Sequence, residues 1–139
     1  MMKNNLYKFF DTSALLAKPN CLFGDQYTTI ISSITLQELK EIIASDYVTL
    51  KNKTTARKLL NEFKEHTEQY ENHIFTNDML KPIREKNFII TNNNFKILAT
   101  ALDYDKNIHP DEVVFVTANK TLANIANLFF GEDSIELVS

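Results

Sequence analysis

The chain has 139 residues, 44% hydrophobic and 24% charged, which favours one domain whose core needs no disulfide or metal staple. Its single cysteine, Cys21, excludes an internal disulfide and points to a reducing cytoplasm. With 15 Lys and Arg against 18 Asp and Glu the net charge is −3, so any nucleic-acid contact must come from a local basic patch.

In chain order, Leu6 to Phe10 is a short apolar strand ending at Asp11. Thr28 to Ile34 is β-branched and reads as a second strand. Thr35 to about Asp46 follows as a helix, with Leu36, Leu39 and Ile43 at helical spacing. A longer helix runs from about Lys53 to Tyr70 on the stripe Ala56, Leu59, Leu60, Phe63 and Tyr70. A short helix is predicted around Asp78 to Glu85, and Phe88 to Thr91 is a brief apolar run of either type. Asn94 to about Asp105 is helical, with Ile97, Leu98, Ala101 and Leu102 inward. Val113 to Thr117 is the strongest strand signal in the chain. Asn119 to Phe130 is a helix stopped at Gly131, and Ile135 to Val138 closes as a strand.

Short, fully apolar strands alternating with helices indicate parallel pairing buried on both faces. The predicted fold is a three-layer α/β/α sandwich with a mainly parallel central sheet, residues 1–139 forming one domain. There is no G-x-G-x-x-G and no G-x-x-x-x-G-K-[ST], which excludes a Rossmann cofactor turn and a P-loop. Lys8 and Asp11 break the N-terminal apolar stretch, and no apolar run reaches the ~18 residues of a membrane span. The expectation is a soluble cytoplasmic protein with no membrane partner.

In an open parallel sheet, ligand chemistry gathers beyond the carboxyl ends of the strands. Four polar positions fall there: Asp11 in D-T-S-A-L-L, Glu38 in T-L-Q-E-L, Asn94 before I-L-A-T-A-L, and Asn119 in V-V-F-V-T-A-N-K-T-L. From Phe9 to about Phe130 this order and spacing resembles the PIN domain, a family of metal-dependent ribonucleases. The likeness is nearest to the PIN domain that precedes the ATPase module of PhoH-like proteins, and VapC-type toxins share the opening motif. No ATPase module follows here, so the resemblance implies a free-standing domain. It implies a PIN-like fold and an endoribonuclease cleaving single-stranded RNA with Mg²⁺ or Mn²⁺, in which Asp11 and Glu38 hold the metal. Asn94 and Asn119 stand where the family carries its third and fourth acids, Thr117 matches its hydroxyl residue, and Ser13 stands where it places Ser or Asn near the nucleic acid. A homodimer and a protein inhibitor are expectations of the same kind.

Hard cations such as Mg²⁺ and Mn²⁺ take oxygen ligands, commonly one or two carboxylates plus water and substrate phosphate. With two amides in place of acids, the rim carries about −2 rather than −4, which implies one metal site and weakened activity. A catalytically impaired domain that binds RNA or protein is the alternative.

Each rim residue also has a local structural reading. Asp11 is a good cap for a helix starting at Thr12, and Thr35-x-x-Glu38 fits a capping box. Asn94 and Asn119 are both good N-cap residues, and Thr117 can serve as a local hydrogen-bonder. Lys51, Lys53, Arg57, Lys58 and Lys64 cluster with only Glu62 opposing them, and Lys53, Arg57 and Lys64 share one flank of the apolar stripe. Such a row suits a phosphate backbone, and equally a solvated helix face. The same helix turns acidic at Glu65, Glu68 and Glu71. His66, His73 and His109 lack the spacing of zinc ligands.

Overall fold

A computed structural model of the chain describes residues 6–21, 26–88, 92–108 and 112–138. Five strands form one sheet: β1 (Leu6–Phe10), β2 (Thr28–Ser32), β3 (Tyr70–His73), β4 (Glu112–Thr117) and β5 (Ile135–Leu137). Their order is β3-β2-β1-β4-β5 and every pairing is parallel. Among the described residues six α-helices accompany them: α1 (Thr12–Ala17), α2 (Ser33–Ala44), α3 (Leu50–Glu65), α4 (Lys81–Glu85), α5 (Asn93–Asp103) and α6 (Lys120–Phe130).

Successive strand residues point to opposite faces, and here both faces are buried. Phe9, Ile30, Val113 and Phe115 join Ile83 of α4, Ile97 and Leu98 of α5, and Leu122 and Ala126 of α6 in one core. Phe10, Ile31, Val114 and Val116 join Ala14 and Leu15 of α1, Leu39 of α2, and Ala56, Leu59 and Phe63 of α3 in the other. Because α2 gives Ile34 to the first core and Leu39 to the second, it ties the two layers together. The three-layer sandwich predicted from the alternation of elements is the fold observed.

Several boundaries differ from the sequence reading. The second strand ends at Ser32, not Ile34, because the Ser32 hydroxyl accepts from Ile34 N at 3.1 Å and starts α2 two residues earlier than predicted. Ser32 also meets Thr100 Oγ1 of α5 at 3.0 Å, a contact across the fold that no local pattern reveals. Thr35-x-x-Glu38 is therefore not a capping box, and Glu38 is free of that role.

The long helix begins at Leu50 behind its cap Thr49 and stops at Glu65, so Tyr70 leaves it to open β3. The segment Tyr-Glu-Asn-His has no apolar alternation. It forms a strand through backbone pairing with β2, as an edge strand can. Finally, Asn92, not Asn94, caps α5, accepting from Phe95 N at 3.1 Å. Residues 89–91 of the ambiguous apolar run, together with His109, lie outside the described residues.

Candidate functional site

The site forms where the central strands end. β1 and β4 pair in register from Leu6 opposite Glu112 to Phe10 opposite Val116. One step further, Asp11 N donates to Val116 O at 3.0 Å. That bond sets Asp11 beside Thr117 at the carboxyl edge of the sheet.

Asp11 is only 1% exposed. It caps α1, accepting from Ala14 N at 2.8 Å on Oδ1. Ser13 Oγ shares its hydrogen between Oδ1 at 2.8 Å and Oδ2 at 3.0 Å, and Thr117 Oγ1 donates to Oδ2 at 2.5 Å. Both hydroxyls are themselves fixed by backbone donors, Ala118 N to Ser13 Oγ at 2.9 Å and Asn119 N to Thr117 Oγ1 at 3.0 Å. Burial pushes the Asp11 carboxyl above its ordinary value. The bonds from Thr117, Ala14 and Ser13 pull it back in part, and the nearby charge of Glu38 raises it again.

Glu38 sits on α2 and faces the same place through Thr12, whose Oγ1 donates to Glu38 Oε1 at 2.6 Å. Thr12 Oγ1 also meets Thr35 Oγ1 at 3.2 Å. A hydroxyl has one hydrogen to give. The shorter contact commits it to Glu38, with Thr35 Oγ1 as a more distant second acceptor, so Thr12 aims the carboxylate. Glu38 further lines an open cleft of about 370 Å³ with Glu41, Ile42, Ser45, Val48 and Asn93.

The predicted residues thus divide. Asp11, Thr117, Ser13 and the backbone of Asn119 form one hydrogen-bonded unit, and the charge of Glu38 acts on Asp11 from nearby. Asn119's side chain is occupied as the cap of α6, accepting from Leu122 N at 3.0 Å. Ser13, read as a nucleic-acid contact, has its hydrogen turned inward to Asp11. Asn94 is half-buried in the first turn of α5, and the residue of that helix lining the cleft is its neighbour Asn93. Arg57 and Lys64 are exposed on α3 and Lys53 is half-buried, whereas Lys58 bonds Asn20 Oδ1 at 3.1 Å. The acidic continuation dissolves, because Glu71 belongs to β3, where it accepts from the Tyr104 hydroxyl.

Sequence reasoning missed Thr12, Thr35, Glu41 and Asn93. Thr12 and Thr35 were in view inside the two motifs. Only their distance from each other in the chain hid the pairing.

The donor set is of the oxygen type that hard cations take. Asp11 and Glu38 are the two carboxylates there that could serve such an ion, which needs one or two beside water and phosphate. Among the described residues, no group of three or more His, Cys, Asp or Glu is placed to hold a metal.

Thr12→Val keeps the shape of the buried side chain and removes the hydroxyl that aims Glu38. The expected result is a 10- to 100-fold loss in Mn²⁺ affinity, as for outer-shell partners of metal ligands generally. Thr12→Ser should restore it, and calorimetric titration of Mn²⁺ into the three proteins checks both.

No helix among the described residues is long and apolar enough to cross a membrane. No curated protein matches the chain. Among solved structures, VapBC2 from Rickettsia felis, bound to a DNA fragment from its promoter, is 20% identical with a TM-score of 0.57. The match covers 94% of this chain and 98% of that one. VapBC-5 from Mycobacterium tuberculosis, a member of the VapBC family of toxin–antitoxin systems, is 18% identical with a TM-score of 0.60, covering 95% and 98%. At such identities the likeness speaks for the fold. The PIN domain family itself matches residues 9–129, which take in every residue of the Asp11 and Glu38 site. The chain belongs to the PIN domain family.

Proposed function

We propose that the protein is a metal-dependent endoribonuclease that hydrolyses phosphodiester bonds of single-stranded RNA, with activity lowered by the two amides at Asn94 and Asn119. The observation that carries this reading is the buried Asp11 carboxylate, held by Ser13 and Thr117 and pressed by the charge of Glu38. Such an arrangement is costly for stability alone and fits a cation-binding role. Asp11 and Glu38 would hold Mg²⁺ or Mn²⁺. When bound, the ion lowers the pKa of a water and polarises the phosphoryl group.

The chain's own residues do the positioning. Thr117 and Ser13 keep Asp11 in one rotamer, Thr12 keeps Glu38 in one, and Asn93 and Glu41 border the space where a phosphate would lie. Asn119 caps α6 at the end of β4, and Asn94 lies in the first turn of α5. The likeness to toxin–antitoxin structures favours a protein inhibitor as a natural partner. Self-association is the further family expectation.

Incubation with a labelled unstructured RNA and Mn²⁺ tests the reading. Cleavage by the natural protein that is lost in Asp11→Asn supports it. Cleavage confined to an Asn94→Asp/Asn119→Asp variant supports the alternative, an impaired domain that binds RNA or protein. An aspartate at 119 still caps α6, so that variant should fold.

A further inference from the structure

Tyr47 is 99% exposed and Leu50 74% exposed, the two most exposed large hydrophobic residues among those described. Tyr47 lies in the turn that joins α2 to α3, and Leu50 is the first residue of α3. An exposed apolar residue is ordinary by itself, but the position of this pair is informative. Ser45 and Val48, on either side of Tyr47, line the same cleft as Glu38, Glu41 and Asn93. Tyr47 thus lies in the chain between two cleft-lining residues, its own ring outside the lining.

The turn is held in place. Tyr47 N donates to Ser45 Oγ at 3.1 Å, and Thr49 Oγ1 accepts from Asn52 N at 3.2 Å to start α3. At 99% exposure the ring has almost no contact with its own chain, so a fixed backbone presents a free aromatic face to solvent. Charge around it is mixed: Asp46 precedes it, and exposed Lys51 and half-buried Lys53 follow in the opening turns of α3.

We propose that Tyr47 is a stacking platform that holds a base of single-stranded RNA beside the Glu38 cleft, with Lys51 and Lys53 near the phosphates. This rests on the ribonuclease reading above. Every base has a π face, so stacking fits a site with no built hydrogen-bond readout. A stable protein interface buries about 800 Å² per partner around an apolar centre. Here Tyr47 and Leu50 stand among Asp46, Thr49 and Lys51, which suits one flat ligand better than a broad one.

The 139-residue protein can be tested with a short unstructured RNA carrying fluorescein, with Ca²⁺ replacing Mg²⁺ to slow hydrolysis. Tyr47→Ala is expected to weaken binding by about 5- to 20-fold, and Tyr47→Phe to retain it. The chain has no tryptophan, so Tyr47→Trp introduces a unique fluorophore. Its emission should be quenched by the single strand and unaffected by a duplex of the same sequence. Equal RNA affinity of Tyr47→Ala and the natural protein, or an unquenched tryptophan, overturns the proposal and leaves the tip to a protein partner. In that case RNA cleavage dependent on Asp11 would still stand. A natural protein that neither binds nor cleaves RNA would remove both readings together.

Discussion

Asp11→Asn is expected to abolish RNA cleavage and, in the absence of metal, to make the folded protein more stable at neutral pH. Burial is the largest influence on this carboxyl and raises its pKa. The bonds from Thr117, Ala14 and Ser13 offset only part of that, and Glu38 adds to the rise. A carboxyl with a folded pKa above its unfolded one is harder to ionise in the fold. Stability therefore falls as pH rises from the unfolded pKa to the folded one, and stays lowered above it. Below the unfolded value both states are protonated and the penalty is gone.

Asparagine resembles the protonated form. Its carbonyl still accepts from Ala14 N, and its amide turns toward the Ser13 and Thr117 oxygens. Urea unfolding in EDTA should therefore show the variant ahead at neutral pH, with the gap closing as pH falls through the carboxylate range. Cleavage should drop by ~100-fold or more, equivalent to ~2.7 kcal/mol of barrier. Mn²⁺ should raise the melting temperature of the natural protein through binding to the folded state and leave the variant's unchanged. Cleavage at the natural rate would remove Asp11 from the chemistry. A less stable variant would mean that the three hydrogen bonds outweigh burial.

Phe115→Ala is expected to destabilise the fold by ~3–5 kcal/mol, a large share of the ~5–15 kcal/mol that holds a domain together. Phe115 is fully buried at the centre of β4. Its ring lies 6.3 Å from that of Phe9 on β1 and 5.9 Å from that of Phe130 on α6, nearly parallel to the latter. Truncation opens a cavity bounded by two strands and a helix, whose backbones cannot close on it without breaking the sheet's ladder. The denaturant midpoint measures the loss. A shift worth under ~1 kcal/mol would show that the neighbouring phenylalanines refill the space. The same cavity lies two residues from Thr117, so Mn²⁺ affinity should fall along with stability.

Most of the scaffold was legible because its signals are local. Adjacent apolar residues such as Phe9–Phe10, Ile30–Ile31 and Val113–Val116 announce strands buried on both faces. The stripes of α3, α5 and α6 follow the 3.6-residue period. Asp11 and Asn119 were legible as caps for the same reason, since a cap is decided within four residues. Asp11 and Glu38 were singled out as a pair by motifs whose order and spacing resemble the PIN domain.

Other features depended on partners far along the chain. The polar segment Tyr70–His73 becomes a strand only because β2 offers it an unpaired edge. Ser32 rather than Thr35 opens α2, where it also meets Thr100. The Thr12 hydroxyl is ordinary until α2 crosses the sheet's edge and brings Glu38 within 2.6 Å of it. The cleft that adds Glu41 and Asn93 exists only once α2 and α5 lie side by side. Residue type and period thus determined which segments fold, and the motif resemblance singled out which carboxylates could meet. Packing across the sheet decided which hydroxyls aim them, because hydrogen-bond geometry depends on distances that neighbours in sequence do not set.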